Sequence, residues 1–231
     1  MLKKIVAMGL VALTAVTILA GVLAYAYLKP TAAASGPIQA VPIAQGSSAG
    51  TSAASTVYTI DQASSQARFT IDEVLNGSPK TVVGSTDQVA GQIAVTPTAP
   101  STAQVGTIQI DVRTLTTDSD QRNQAIKNMI LKTDQYEYVT FVPTSLVGLP
   151  ESATVGQSYT FQIVGQLTVA GQTHEATFDV TATPTADGHL QGSATTTIKY
   201  ADWGISIPQV PFVTGVGDTV TLALDFVATA S

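Results

Sequence analysis

From Tyr58 onward, apolar and polar side chains alternate along the chain with a period of two. In "QARFTIDE", Ala67, Phe69 and Ile71 share one face, and Arg68, Thr70 and Asp72 the other. In "GTIQIDVRT" the split is Ile108, Ile110 and Val112 against Gln109, Asp111 and Arg113. The same reading gives a dry face of Tyr159, Phe161, Ile163, Gly165, Leu167 and Val169, and another of His174, Ala176, Phe178, Val180 and Ala182. Two more follow, Leu190 to Tyr200 and Val220 to Ala228 at every second position. Side chains of a strand point alternately to opposite faces, so one dry face per segment is the mark of half-buried antiparallel strands. With further runs at 57–60, 89–95 and 137–142, eight or nine strands are expected. "Ala170-Gly171-Gln172" fits a hairpin loop, and short connections suit a meander that closes into a barrel and so removes its exposed edges. A sandwich has the same periodicity and stays open as the alternative. Small residues on the dry faces (Gly165, Ala176, Ala182, Gly192, Ala194, Thr196) fit either a ligand cavity or the taper of a filled barrel.

One stretch breaks the alternation. In "RTLTTDSDQRNQAIKNMILK" (113–132), Asp118 followed by Gln121 has the form of a capping box, and Ala125, Ile126, Met129 and Ile130 fall on one face at helical spacing. "Lys132-Thr133-Asp134" ends it. The residues alone favour a short helix packed on a sheet edge or a barrel end. The functional alternative is a wall beside a lipid-sized cavity, with Met129 and Ile130 touching the ligand.

The first 56 residues read differently. Lys3-Lys4 precede an apolar run from Ile5 to Leu28, whose 24 residues would span roughly 36 Å as a helix, against a hydrocarbon core of ~30 Å. That length favours a signal-anchor over residues 1–28, although Ala24-Tyr25-Ala26 also has the small-x-small pattern of a cleavage site. The positive-inside rule puts Lys3-Lys4 in the cytoplasm and the remainder outside. The expected location is therefore a bacterial cell membrane, single-pass, with the following domain extracytoplasmic, or secretion if the segment is cleaved. Residues 29–56, rich in Ala, Ser, Gly, Pro and Thr, read as a flexible linker with a reach of about 30 Å. Residues 57–231 form the folded domain.

Composition then removes several chemistries. Residues 57–231 hold seven cations and all sixteen carboxylates, a formal charge of −9, and no basic run interleaved with aromatics, so nucleic acid is excluded as a partner. The chain has no cysteine, which removes disulfides, thiolate metal sites and cysteine nucleophiles. His174 and His189 are its only histidines, and no H-x-x-x-H, G-x-S-x-G or phosphate-cradling glycine loop occurs. No catalytic residue, metal ligand or cofactor is expected. Arg122 could meet a head-group phosphate, but an ion pair with a nearby Asp is favoured.

Six segments in collinear order resemble the YceI-like family of polyisoprenoid-binding, lipocalin-like proteins. They are "YTIDQASSQARFTI" (58–71), "VVGSTDQVAGQI" (82–93), "IQIDVRTLTTDSDQRNQAIK" (108–127), "GQLTVAGQTHEATFDV" (165–180), "KYADWGI" (199–205) and "VGDTVTLALDF" (216–226). The resemblance implies an all-β, lipocalin-like antiparallel eight-stranded β-barrel with one short flanking helix, here preceded by the N-terminal transmembrane helix. It also implies a hydrophobic tunnel for a long isoprenoid or fatty chain, in a binding protein rather than an enzyme. Where the family carries a Phe-Phe-Asp-like element, this chain has "MILKTDQYEY"; His174 and Lys199 stand at two usually basic positions. The tunnel-lining residues expected are Phe69, Ile108, Ile110, Met129, Ile130, Phe161, Phe178, Tyr200, Trp203 and Phe226. The expected partners are a long-chain lipid or isoprenoid and, through the N-terminal helix, the membrane; the oligomeric state, a homodimer included, stays open. Two rivals remain: a structural surface domain with a filled barrel, and an acyl-amide hydrolase with a nucleophile paired to His174.

Overall fold

The structure, a computed structural model, describes residues 25, 28–43, 55–208 and 213–230. Thirteen strands form one antiparallel sheet. They are β1 (Thr56–Ile60), β2 (Gln66–Leu75), β3 (Ser78–Thr86), β4 (Val89–Ala90), β5 (Gln92–Val95), β6 (Gln104–Val105), β7 (Ile108–Asp111), β8 (Tyr138–Val147), β9 (Tyr159–Val169), β10 (Gln172–Pro184), β11 (His189–Lys199), β12 (Val213–Val216) and β13 (Thr219–Ala230). Several are pieces of one longer ribbon: β1 with β2, β3 to β5, β6 with β7, and β12 with β13.

Each ribbon pairs with the next, and the last returns to the first. β2 pairs β3 and β1 pairs β5; β4 and β5 pair β7 and β6; β7 then pairs β8, and β8 to β11 follow in order. β11 pairs β13 from His189↔Thr229 to Lys199↔Thr219, and β13 closes the curl on β2 with its middle and on β1 with its end. A sandwich would have left two pairs of edges; the continuous pairing decides for a curled sheet. The break between β1 and β2 is a single 3₁₀ turn at Gln62–Ser64, started by Asp61, whose side chain accepts from the Ala63 amide.

Local sequence explains the tight ends. β2 and β3 are joined by Asn76-Gly77 with φ of 50° and 78°, the left-handed pair that a two-residue hairpin turn requires. β9 and β10 are joined the same way by Ala170-Gly171, with φ of 47° and 78°, so Gln172 pairs with Val169 and belongs to the strand rather than to the loop. Tyr136 lies against Gly171, where an added Cβ would fall 2.5 Å from its ring.

The expected helix is there, with a shifted start and a shifted face. α1 spans Asp120–Ala125 and continues into a π-helical turn, Ile126–Ile130. Its N-cap is Ser119, not Asp118: the Ser119 hydroxyl accepts from the Arg122 amide, while Asp118 pairs with Lys80 and Arg122. In the π turn the Leu131 N–H reaches back five residues to the Ile126 carbonyl (2.8 Å). The wider turn breaks the 3.6-residue phase. Ile126 and Asn128 are buried, and Met129 is only half-buried.

The described part of the expected tether lies against the domain. Lys29 pairs with Asp134 at 2.8 Å, and its carbonyl accepts from Asn128 (2.7 Å) and Gln124 (3.3 Å). The Ala33 carbonyl accepts from Arg113, and the amide and hydroxyl of Ser35 both donate to the Glu137 carboxylate, each at 2.7 Å. Ile38 is buried with its carbonyl held by Gln62, and the Ile43 amide donates to Gln92. Residues 29–43 therefore run as a strap along the outside of the sheet. Residues 44–54 lie outside the described residues, as does the expected membrane span apart from Tyr25 and Leu28. Among the described residues no helix is long and apolar enough to cross a membrane.

Candidate functional site

The inward faces of the strands enclose a cavity of about 540 Å³. It runs the length of the curled sheet. At one end its wall comes from α1 and its π turn (Ile126, Ile130, Leu131) and from the link after β11 (Tyr200, Ile205). At the other end it comes from the loops β5–β6, β8–β9 and β10–β11, including Pro97, Leu149, Val155 and His189. The strand register produces this lining directly. In β9, Ile163, Leu167 and Val169 are buried and line the cavity, while Val164, Gln166 and Thr168 on the opposite face are only half-buried.

Eight of the ten expected tunnel residues line the cavity. Phe69, Ile108 and Ile110 come from β2 and β7, and Phe161, Phe178 and Phe226 from β9, β10 and β13. Ile130 and Tyr200 close the helix end; Tyr200 stands in a 3₁₀ turn, Tyr200–Trp203, not in β11. Met129 and Trp203 do not line it. Met129 leaves the wall because the π turn advances Ile130 and Leu131 into its place. Trp203 is a buried plug outside the cavity: its indole N–H donates to the Leu167 carbonyl (3.0 Å) and its ring meets His174 edge-on at 5.1 Å. His174 is otherwise exposed.

Two wall residues come from β8. Phe141 lines the cavity, stacks edge-on with Phe178 (4.8 Å) and lies over Gly165, where an added Cβ would fall 2.6 Å from its ring. Gly165 thus makes room for a ring and adds no void. Leu146 also lines the cavity, although an even position on β8 should face outward. A bulge between Pro143 and Ser145 reverses the parity there, at the proline that cannot donate to the ladder.

Charge touches the cavity mainly at the helix end. Arg122 and Glu73 border it, ion-paired at 2.8 Å with side chains 19% and 10% exposed. Asp118 bridges Arg122 and Lys80, and the Lys80 hydrogen bond, with the Arg122 charge, holds its carboxyl below the usual range. Behind the helix, Asp111 is 1% exposed. One of its oxygens accepts from the Arg113 amide, and the other has no hydrogen-bond partner among the described residues. Burial pushes its carboxyl up, against the Arg113 hydrogen bond. Burial would also raise Glu137, but the Ser35 hydrogen bonds and the Arg113 charge outweigh it and hold Glu137 below its ordinary value. Among the described residues no three His, Cys, Asp or Glu gather as metal ligands. The chemistry this arrangement offers is burial of apolar surface.

The YceI-like domain model matches residues 58–228. The fold resembles that of Burkholderia cenocepacia BcnA (19% identity, TM-score 0.58, covering 74% of this chain and 99% of that one). It resembles equally a polyisoprenoid binding domain from Saccharophagus degradans implicated in plant cell wall breakdown (16%, 0.58, 75% and 98%). A YCEI protein of Campylobacter jejuni is more distant (16%, 0.52, 64% and 84%). At these identities the likeness concerns the fold alone. No curated protein matches the chain.

Proposed function

The chain belongs to the YceI-like family, and from that premise we propose that it binds a long-chain apolar ligand, a polyisoprenoid or fatty-acid-like lipid, inside the curled sheet. The observation that carries this is the 540 Å³ cavity with its almost wholly apolar wall, within the range of about 300–1,000 Å³ common for ligand pockets. A structural domain with a filled core would have no such void. The role is transport or storage, without catalysis, on the extracytoplasmic side of a bacterial cell membrane, with the apolar N-terminal segment as anchor. The polyisoprenoid-binding relative from Saccharophagus degradans supports the ligand class.

Binding rests on the removal of methylenes from water. Each contributes about 0.8 kcal/mol, roughly a fourfold change in Kd. A titration series of fatty acids and isoprenols of increasing length should show affinity rising about fourfold per added CH₂ until the cavity is full. Affinity independent of chain length contradicts the proposal.

A further inference from the structure

The apolar N-terminal run ends at Leu28, and the strap begins at the next residue, bonded to the helix end of the domain. The fixing groups belong to the same chain stretch that walls the cavity. Asn128, which holds the Lys29 carbonyl, lies between Ile126 and Ile130, and Asp134, which holds the Lys29 ammonium, follows Leu131 by three positions. Tyr25 and Leu28, just before the strap, are 73% and 70% exposed, so these two apolar side chains find no cover on the domain. The same end presents the half-exposed ring of Tyr136 and the exposed Lys132, a pairing suited to the interface and to lipid phosphates.

We infer that the strap seats the domain on the bilayer helix end first, so that α1 and the end of the cavity it walls face lipid. This rests on the anchor reading above. A free 28-residue tether would let the domain tumble within about 30 Å of the membrane. A strap docked at residue 29 leaves only a residue or two of slack, at ~3.5 Å each. β9, 11 residues long, sets the two ends roughly 35 Å apart. Orientation is therefore a measurable height difference.

The chain has no cysteine, so single reporters can be placed at will. Gln135→Cys marks the helix end and Glu151→Cys the far end; both positions are exposed. Each full-length variant, carrying a donor dye, is reconstituted into phosphatidylcholine/phosphatidylglycerol vesicles with a head-group acceptor dye. Energy transfer should be severalfold stronger from position 135 than from 151. Lys29→Ala, Ser35→Pro and Asn128→Ala together remove the ion pair, both Glu137 hydrogen bonds and the Asn128 bond to the Lys29 carbonyl without touching the sheet, and should bring the two positions together. Equal transfer in the unmodified strap, stronger transfer from 151, or a gap that survives the strap variant overturns the inference. A chain that does not co-float with vesicles overturns the anchor reading as well, which separates the two failures.

Discussion

Ala194→Phe tests whether the void is real and whether it is the binding site. Ala194 sits in the middle of β11, opposite Val180 of β10 and Leu224 of β13, and faces the cavity with both. A ring there projects into space that no side chain occupies. It would bury on the order of 100 Å² of new apolar surface, an upper bound of about 2.5 kcal/mol of added stability. The same ring excludes about six ligand carbons, which at ~0.8 kcal/mol each costs roughly 5 kcal/mol and more than a thousandfold in affinity. The expected result is an unchanged or raised urea midpoint together with loss of uptake of a fluorescent long-chain probe. In a filled core the ring would overpack and destabilise by about 1–3 kcal/mol. A lowered midpoint, or undiminished uptake in a stably folded variant, refutes the reasoning.

Other expectations follow from single contacts. Ala170 holds a left-handed φ of 47° in the β9–β10 turn, where Asn is far better tolerated, so Ala170→Asn should raise stability by about 1 kcal/mol in thermal or urea unfolding. Gly171→Ala should lower it, because its Cβ would strike the Tyr136 ring. Burial raises Asp111 in the folded state, so the native chain holds that proton more tightly than the unfolded one. Its ionisation therefore opposes folding: the penalty is full above the raised value, shrinks as pH falls through it, and is gone below the ordinary carboxylate range. Asp111→Asn should therefore gain on the unsubstituted protein as pH rises from about 4 to 7, read as the difference in urea midpoints. Glu137 is held low instead. Its contribution is present above the ordinary carboxylate range and lost as pH falls through its depressed value. The strap should accordingly loosen below about pH 4, seen as faster amide exchange at Ser35.

Much of the fold was legible because half-buried strands write their inner face into every second residue; β9, β11 and β13 do so without interruption, and β10 from Ala176 onward, its expected inward His174 being exposed. Where an element departs from regular geometry, the periodicity misleads. The bulge at Pro143–Ser145 turns Leu146 inward, and the π turn replaces Met129 by Leu131 at the cavity wall. Trp203, expected to line the tunnel by flanking the chain or plugging one end, lies outside the cavity wall, because its buried indole N–H needs a partner and finds one at the Leu167 carbonyl. The far-end wall comes from Pro97, Leu149 and Val155, loop residues with no period to read. The strap was least legible of all. Its small residues suggest a free tether, and what holds it are backbone groups bonded to Asn128, Arg113 and Glu137, about a hundred positions away along the chain for two of the three contacts.

The central claim is that this cavity holds an apolar chain. Its most direct test is native mass spectrometry of residues 29–231, strap included, purified without detergent and followed by organic extraction of the bound material. The account predicts a stoichiometric long-chain species on the wild-type protein and its absence from Ala194→Phe. A wild-type protein that is bare, and stays bare after incubation with isoprenoids and fatty acids, would contradict it.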